Sequence, residues 1–125
     1  MPRVLIVEDD SVLCAGFAMV FEAEGFEVRT AGNGAEALAA LATGWRPDAI
    51  LLDLMMPVMS GREFRRALSA DPGLAAIPVV VMSAHGDLAG QIRGLDLAGV
   101  LHKPFGVDQL LEAVRRVTPP GKAAP

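Results

Sequence analysis

Pro-Asp-Ala-Ile-Leu-Leu-Asp-Leu-Met-Met-Pro-Val-Met-Ser-Gly, residues Pro47 to Gly61, decides how the rest of the chain is read. Ala49 to Leu52 is an unbroken apolar run, which suits a strand covered on both faces as in parallel sheets. Asp53 stands where the run ends. Pro57 cannot donate to a strand ladder and forces the chain to turn. Ser60, followed three residues on by Glu63, has the form of a capping box, so a helix starts there. A carboxylate at the carboxyl end of a buried strand, just ahead of a loop, sits where open α/β sheets keep their chemistry. Taken alone, Asp53 could equally be a turn or cap acid.

Working outward from this stretch, strands and helices alternate. On the amino-terminal side, Arg3 to Val7 is a β-branched, apolar strand, followed at once by Glu8, Asp9 and Asp10. Asp10 or Ser11 caps a helix whose apolar face is Leu13, Phe17, Val20 and Phe21, and Gly25 closes it. Phe26 to Ala31 alternates as a strand. Gly32-Asn33-Gly34 turns the chain, Asn33 and Glu36 resemble another cap, and Ala35 to Ala42 is rich in helix formers. On the carboxyl-terminal side, Gly61 to Ala70 is a helix with Phe64 and Leu68 inward. Pro78 to Met82 is a strand. Asp87 to Leu97 reads as a weak helix, interrupted by Gly90 and Gly94, with Leu88, Ile92 and Leu95 as its apolar side. Val100 to His102 is a short strand, and Val107 to Val117 a last helix with Leu110, Leu111, Val114 and Val117 on one side. Five strands alternating with five helices predict a doubly wound α/β domain with a parallel sheet and helices on both faces.

The 125 residues suit one domain, and 52% of them are hydrophobic, enough for a sizeable core. No apolar stretch is long enough to span a bilayer, and Met1 to Val7 lacks the layout of a signal peptide. The net charge of −4 and the absence of a basic run argue against direct nucleic-acid binding. The single cysteine, Cys14, excludes an internal disulfide, fits a reducing compartment and reads as a packing residue. Residues 119–125, Pro-Pro-Gly-Lys-Ala-Ala-Pro, read as a flexible tail or the start of a linker after a domain of residues 1–118.

In a parallel sheet the carboxyl ends of all strands share one edge. That edge would gather Glu8 and Asp9 from the first strand, Asp53 from the third, Ser83 from the fourth and Lys103 from the fifth. Singly, each has an ordinary role as a cap acid, a backbone-satisfying hydroxyl or a solvated charge. Together, three carboxylates about 5 Å apart repel by on the order of 3 kcal/mol per pair at an effective dielectric near 20. A hard divalent cation such as Mg²⁺ relieves that repulsion. The cation, the lysine and the hydroxyl would then hold a phosphoryl group, with Asp53 as the nucleophile.

The motifs that build this edge are Val-Leu-Ile-Val-Glu-Asp-Asp at 4–10, Asp-Leu-Met-Met-Pro-Val-Met-Ser-Gly at 53–61, Val-Met-Ser-Ala at 81–84 and Lys-Pro-Phe at 103–105. Through them the chain resembles the receiver domain of two-component response regulators over nearly its whole length. The resemblance implies a flavodoxin-like, doubly wound (βα)5 domain with a five-stranded parallel sheet of order 2-1-3-4-5. It implies that Asp53 accepts a phosphoryl group from a phosphohistidine of a sensor histidine kinase or histidine phosphotransfer protein, in the cytoplasm. Mg²⁺ would be held by Glu8, Asp9, Asp53 and the backbone carbonyl of Met55. Ser83, Ala84 and Lys103 would bind the phosphoryl oxygens, and Met55 and His85 would tune hydrolysis. It also implies a cis Lys103–Pro104 bond, and Asp10 as a cap.

Two features depart from that pattern. Val100 stands where receivers commonly carry Tyr or Phe, and the spacing from Ser83 to Lys103 is shorter than usual. Both put the usual output switch in doubt while leaving the acceptor residues complete. Two other classes of function compete. One is a phosphorylation-independent interaction module, which Val100 keeps open. The other is an aspartate-nucleophile phosphatase, whose Asp-x-Asp pattern is broken here by Met55. The downstream partner is not legible.

Overall fold

The apolar runs pair side by side. The computed structural model describes residues 1–54, 56, 58–83 and 94–118. Among these, β1 (Arg3–Val7), β2 (Glu27–Ala31), β3 (Ala49–Asp53), β4 (Val79–Ser83) and β5 (Gly99–His102) form one parallel sheet in the order β2-β1-β3-β4-β5. Four helices are described: α1 (Ser11–Ala23), α2 (Gly34–Ala42), α3 (Gly61–Ala70) and α4 (Val107–Val117). The register sets Val7 against Ala31 and Leu52, Asp53 against Met82, and Ser83 against His102. Thus β1, β3, β4 and β5 end at one edge, as their parallel direction requires. The bond between Lys103 and Pro104 is cis.

Every residue of β3 and β4 is buried, because helices cover both faces of the sheet. Leu5, Val7, Ile50 and Leu52 pack with Leu41 of α2 and with Phe64 and Leu68 of α3. Val4, Ile6, Leu51 and Met82 pack with Phe21 of α1 and with Leu110 and Val114 of α4. Each fully buried aliphatic or aromatic side chain contributes about 1.5–3 kcal/mol relative to exposure. No described helix is long and apolar enough to cross a membrane.

The caps follow the sequence. Asp10 Oδ1 accepts from the N–H groups of Val12 and Leu13, both at 3.0 Å. Asn33 Oδ1 accepts from Glu36 N–H at 2.9 Å. Ser60 and Glu63 make the reciprocal box, at 3.2 and 3.1 Å. Gly25, with φ of 88°, supplies the left-handed residue after α1.

Several boundaries move. Strand β2 starts at Glu27 because the N–H of Phe26 is bound to Phe21 O at the end of α1. Helix α2 starts one residue early, at Gly34, and β4 runs from Val79 to Ser83. On α1 the deeply buried residues are Cys14 and Phe21; Leu13, Phe17 and Val20 are only half-buried, and Phe17 stacks on Phe105. Burial, then the charge of Glu8, pushes the Cys14 thiol pKa up, which fits a packing role. Of the helix expected over 87–97, residues 87–93 lie outside the described set, and 94–97 are not helical. Gly94 takes φ of 78° and the chain continues irregularly into β5.

What holds residues 94–98 down is a buried arginine. Arg65 on α3 is 3% exposed. Its Nε donates to the Asp96 carbonyl at 2.6 Å and its Nη1 to Ser69 Oγ at 3.0 Å. The Asp96 carboxylate, 3.5 Å from Nη2, is 91% exposed, so water screens that ion pair and the carbonyl bond matters more. Leu95 and Leu97, on either side of Asp96, pack on Leu54 and Val81. Arg65→Met keeps an apolar stem but orphans that carbonyl, and is expected to lower stability by about 1–3 kcal/mol in urea unfolding. A loss below about 0.5 kcal/mol would show that water replaces the guanidinium without penalty.

Candidate functional site

Glu8 leaves β1 with its N–H bound to Ala31 O at 3.0 Å, and its side chain turns into the protein, 2% exposed. Asp53, the last residue of β3, is 6% exposed; Asp9 is open to solvent. One carboxylate oxygen from each of Glu8, Asp9 and Asp53 lies within 4.8 Å of the others. The register of β4 and β5 brings in the rest. Lys103 N–H donates to Ser83 O at 2.8 Å, continuing the ladder past His102. Lys103 Nζ then reaches back over the sheet edge to 3.1 Å from Glu8 Oε1 and 3.7 Å from Asp53 Oδ2. Ser83 is buried at the end of β4.

Burial is the main reason that the Glu8 carboxyl pKa is raised, with the neighbouring Asp53 carboxylate adding to it. Lys103 works the other way and does not win. Three carboxylates against one ammonium leave the edge with excess negative charge. The donors are all hard oxygens, close enough to share one ion, and they fit a divalent cation of the Mg²⁺ type.

The loop that follows Asp53 is tied back to it. Gly61 N–H donates to Leu54 O at 2.9 Å. A methyl carbon on Gly61 would lie 2.7 Å from both Asp53 O and Leu54 Cα, so only glycine lets α3 start flush against the end of β3.

The structure therefore brings together Glu8, Asp9, Asp53 and Lys103, with Ser83 on the adjoining strand end. Met55, Ala84 and His85 lie outside the described residues. Val100, on edge strand β5 opposite Val81, is 36% exposed. Gly34, Val58 and Met59 carry no site role in the sequence reading; here a methyl carbon on Gly34 would lie 2.8 Å from Met59 Cγ, and Val58 takes φ of 68°.

An α/β sheet with an acid cluster and a lysine at its switch-point edge defines a small class of phosphoryl-handling and nucleotide-binding domains. Within that class this chain belongs to the response regulator receiver domain family, whose model matches residues 4–115. It is similar to the DNA-binding response regulator MtrA of Mycolicibacterium paratuberculosis, 37% identical over 115 residues that cover 90% of this chain and 49% of MtrA. It is also similar to the transcriptional regulatory protein PrrA of Mycobacterium bovis, 42% identical over 91% of this chain and 48% of PrrA. The chain thus spans about half the length of these curated relatives. Among solved structures, the chemotaxis protein CheY4 of Vibrio cholerae superposes with a TM-score of 0.85 at 32% identity, covering 94% of this chain and 98% of that one. The receiver domain of a signal transduction histidine kinase from Syntrophus aciditrophicus gives 0.88 at 28%, covering 94% and 89%.

Proposed function

We propose that this domain is a phosphoacceptor in a two-component relay, taking a phosphoryl group on Asp53 from a phosphohistidine of a sensor histidine kinase or histidine phosphotransfer protein. The observation that carries the reading is the convergence of Asp53, Lys103 and the acid pair on one sheet edge. A carboxylate oxygen of Asp53 attacks phosphorus, the P–N bond breaks, and the imidazole leaves with the bonding electron pair. The product is an aspartyl phosphate. A bound Mg²⁺ would neutralise phosphoryl charge during transfer. Glu8, Asp9, Asp53 and the Met55 carbonyl are the residues assigned to hold it. Lys103, now shared between Glu8 and Asp53, is free to move its charge onto the phosphoryl oxygens together with the Ser83 hydroxyl and Ala84. Met55 and His85 are assigned to the lifetime of the product.

The reading implies a cytoplasmic setting. Residues 1–118 make up the receiver, with residues 119–125 outside it. The relatives named as DNA-binding or transcriptional regulators suggest one kind of output and the chemotaxis protein another, so the downstream partner is left as a protein of unspecified type. The domain's own charge of −4 disfavours direct contact with nucleic acid.

Intact-mass measurement after incubation with acetyl phosphate tests this. The protein is expected to gain one phosphoryl group with Mg²⁺ and essentially none in excess chelator. Labelling undiminished by chelator would remove the metal from the mechanism, and no labelling under any condition would remove the function.

A further inference from the structure

We propose that Gly34, at the start of α2, is a positioning residue for the phosphoacceptor loop: its missing side chain leaves the notch that seats Met59, and the seated Met59 holds the β3–α3 loop in the shape that fixes Asp53. The role assigned to Gly34 rests on the phosphoacceptor reading, but the contact beneath it does not.

Gly34 is buried, and a methyl carbon there would lie 2.8 Å from Met59 Cγ and Sδ and 3.1 Å from Met59 Cβ. A methionine can swing its Cγ and Sδ aside, but its Cβ moves only with the backbone. Alanine at 34 would therefore push on the loop itself. Met59 is half-buried and packs against the core cluster that includes Leu52, Met56 and Phe64. The residue before it, Val58, has φ of 68° and is 82% exposed. A β-branched residue in the left-handed region is strained, and such strain persists only where the surroundings enforce it. Val58 has too little contact to be held by its own side chain. The residues that follow it are what hold it: Met59 seated against α2, and then Gly61, bound to Leu54 O and flush against Asp53 O. A single residue, Ser60, separates the seat of Met59 from the backbone of Gly61 that lies against Asp53. A helix-start glycine also forgoes the helix preference of alanine, so its presence answers to the loop rather than to α2.

The test compares wild type, Gly34→Ala, Met59→Ala and the double variant in the full chain. It reads hydrogen exchange at the Gly61 amide and the Mg²⁺ concentration for half-maximal labelling by acetyl phosphate. Each single variant is expected to speed Gly61 exchange and raise the Mg²⁺ requirement by roughly tenfold, the scale seen when a supporting contact of a metal site is lost. Exchange at Ile50 and Val80 in the sheet should stay unchanged. The double variant should be no worse than either single, because one crowds and the other empties the same seat, and removing the Met59 Cγ and Sδ leaves the methyl added at position 34 less to collide with. Unchanged Gly61 exchange, or losses that multiply in the double variant, would overturn the proposal. Should Gly34→Ala fail to fold, Met59→Ala alone carries the same pair of outcomes. Should wild type take up no phosphoryl group, the phosphoacceptor reading falls while Gly61 exchange still decides whether Gly34 and Met59 hold the loop.

Discussion

Asp53→Asn is expected to take up no phosphoryl group from acetyl phosphate, and at the same time to make the metal-free fold more stable. Asparagine keeps the shape of the side chain but has no anionic oxygen to attack phosphorus, so the loss of labelling should be complete rather than graded. The stability gain comes from charge. In the folded protein Asp53 is 6% exposed, with Glu8 and Asp9 oxygens within 4.8 Å and Lys103 Nζ at 3.7 Å. At an effective dielectric near 20, each such pair is on the order of 3 kcal/mol before relaxation and screening. Two repulsions and one attraction disappear together, and Lys103 keeps its closer partner Glu8 at 3.1 Å. After screening at the exposed Asp9, a net rise of about 1 kcal/mol is expected. Urea unfolding in chelator measures it. Adding Mg²⁺ should stabilise wild type more than the variant, because the variant offers one fewer anionic oxygen. A variant that labels at the wild-type rate would show that phosphoryl transfer uses another residue. A variant less stable than wild type in chelator would show that the attraction to Lys103 outweighs the repulsion.

This balance was only half legible in the sequence. That Glu8, Asp53, Ser83 and Lys103 share an edge follows from parallel strands alone, and the apolar runs 4–7, 49–52 and 79–82 announced those strands. Caps were legible for the same local reason: Asp10, Asn33 and Ser60 act on residues two or three positions away. What failed depends on contacts between elements far apart in the chain. Residues 94–97, predicted as the end of a helix, are not helical, and a side chain from α3, 31 residues earlier, takes the Asp96 carbonyl. Nothing near Asp96 in sequence signals that Arg65 will be buried beside it. The preference of Lys103 for Glu8 over Asp53 is likewise set by where the sheet edge places three side chains. Valine is a residue that local propensity would not put at positive φ, so nothing near Val58 in the sequence signals its conformation.

Glu8→Gln should separate the cost of the acid cluster from its use, and pH gives the sign. Glu8 is 2% exposed, and burial first, then Asp53, raises its carboxyl pKa above the ordinary 4.5; the ion pair with Lys103 offsets this only in part. The folded protein therefore keeps the Glu8 proton at a pH where the unfolded chain has lost it. Between the ordinary glutamate range and the raised folded value, the folded state holds more protons than the unfolded one, so stability contributed by this group falls as pH rises through that window. Above that window the penalty of a buried, charged Glu8 is fully present in the metal-free protein. The neutral amide removes it. Glu8→Gln is thus expected to be more stable than wild type in chelator at neutral pH, by on the order of 1 kcal/mol, with the difference shrinking as pH falls through that window and lost below the ordinary glutamate range. Divalent cations compete with that same proton, so wild-type Mg²⁺ affinity should rise with pH across the window. The variant should show a flatter profile and an affinity lower by roughly tenfold, having one fewer charged ligand. Urea unfolding and Mg²⁺ titration over a pH series measure both. A variant less stable than wild type at neutral pH would mean that the Lys103–Glu8 pair outweighs burial. A Mg²⁺ affinity unchanged by the substitution would place the cation away from Glu8.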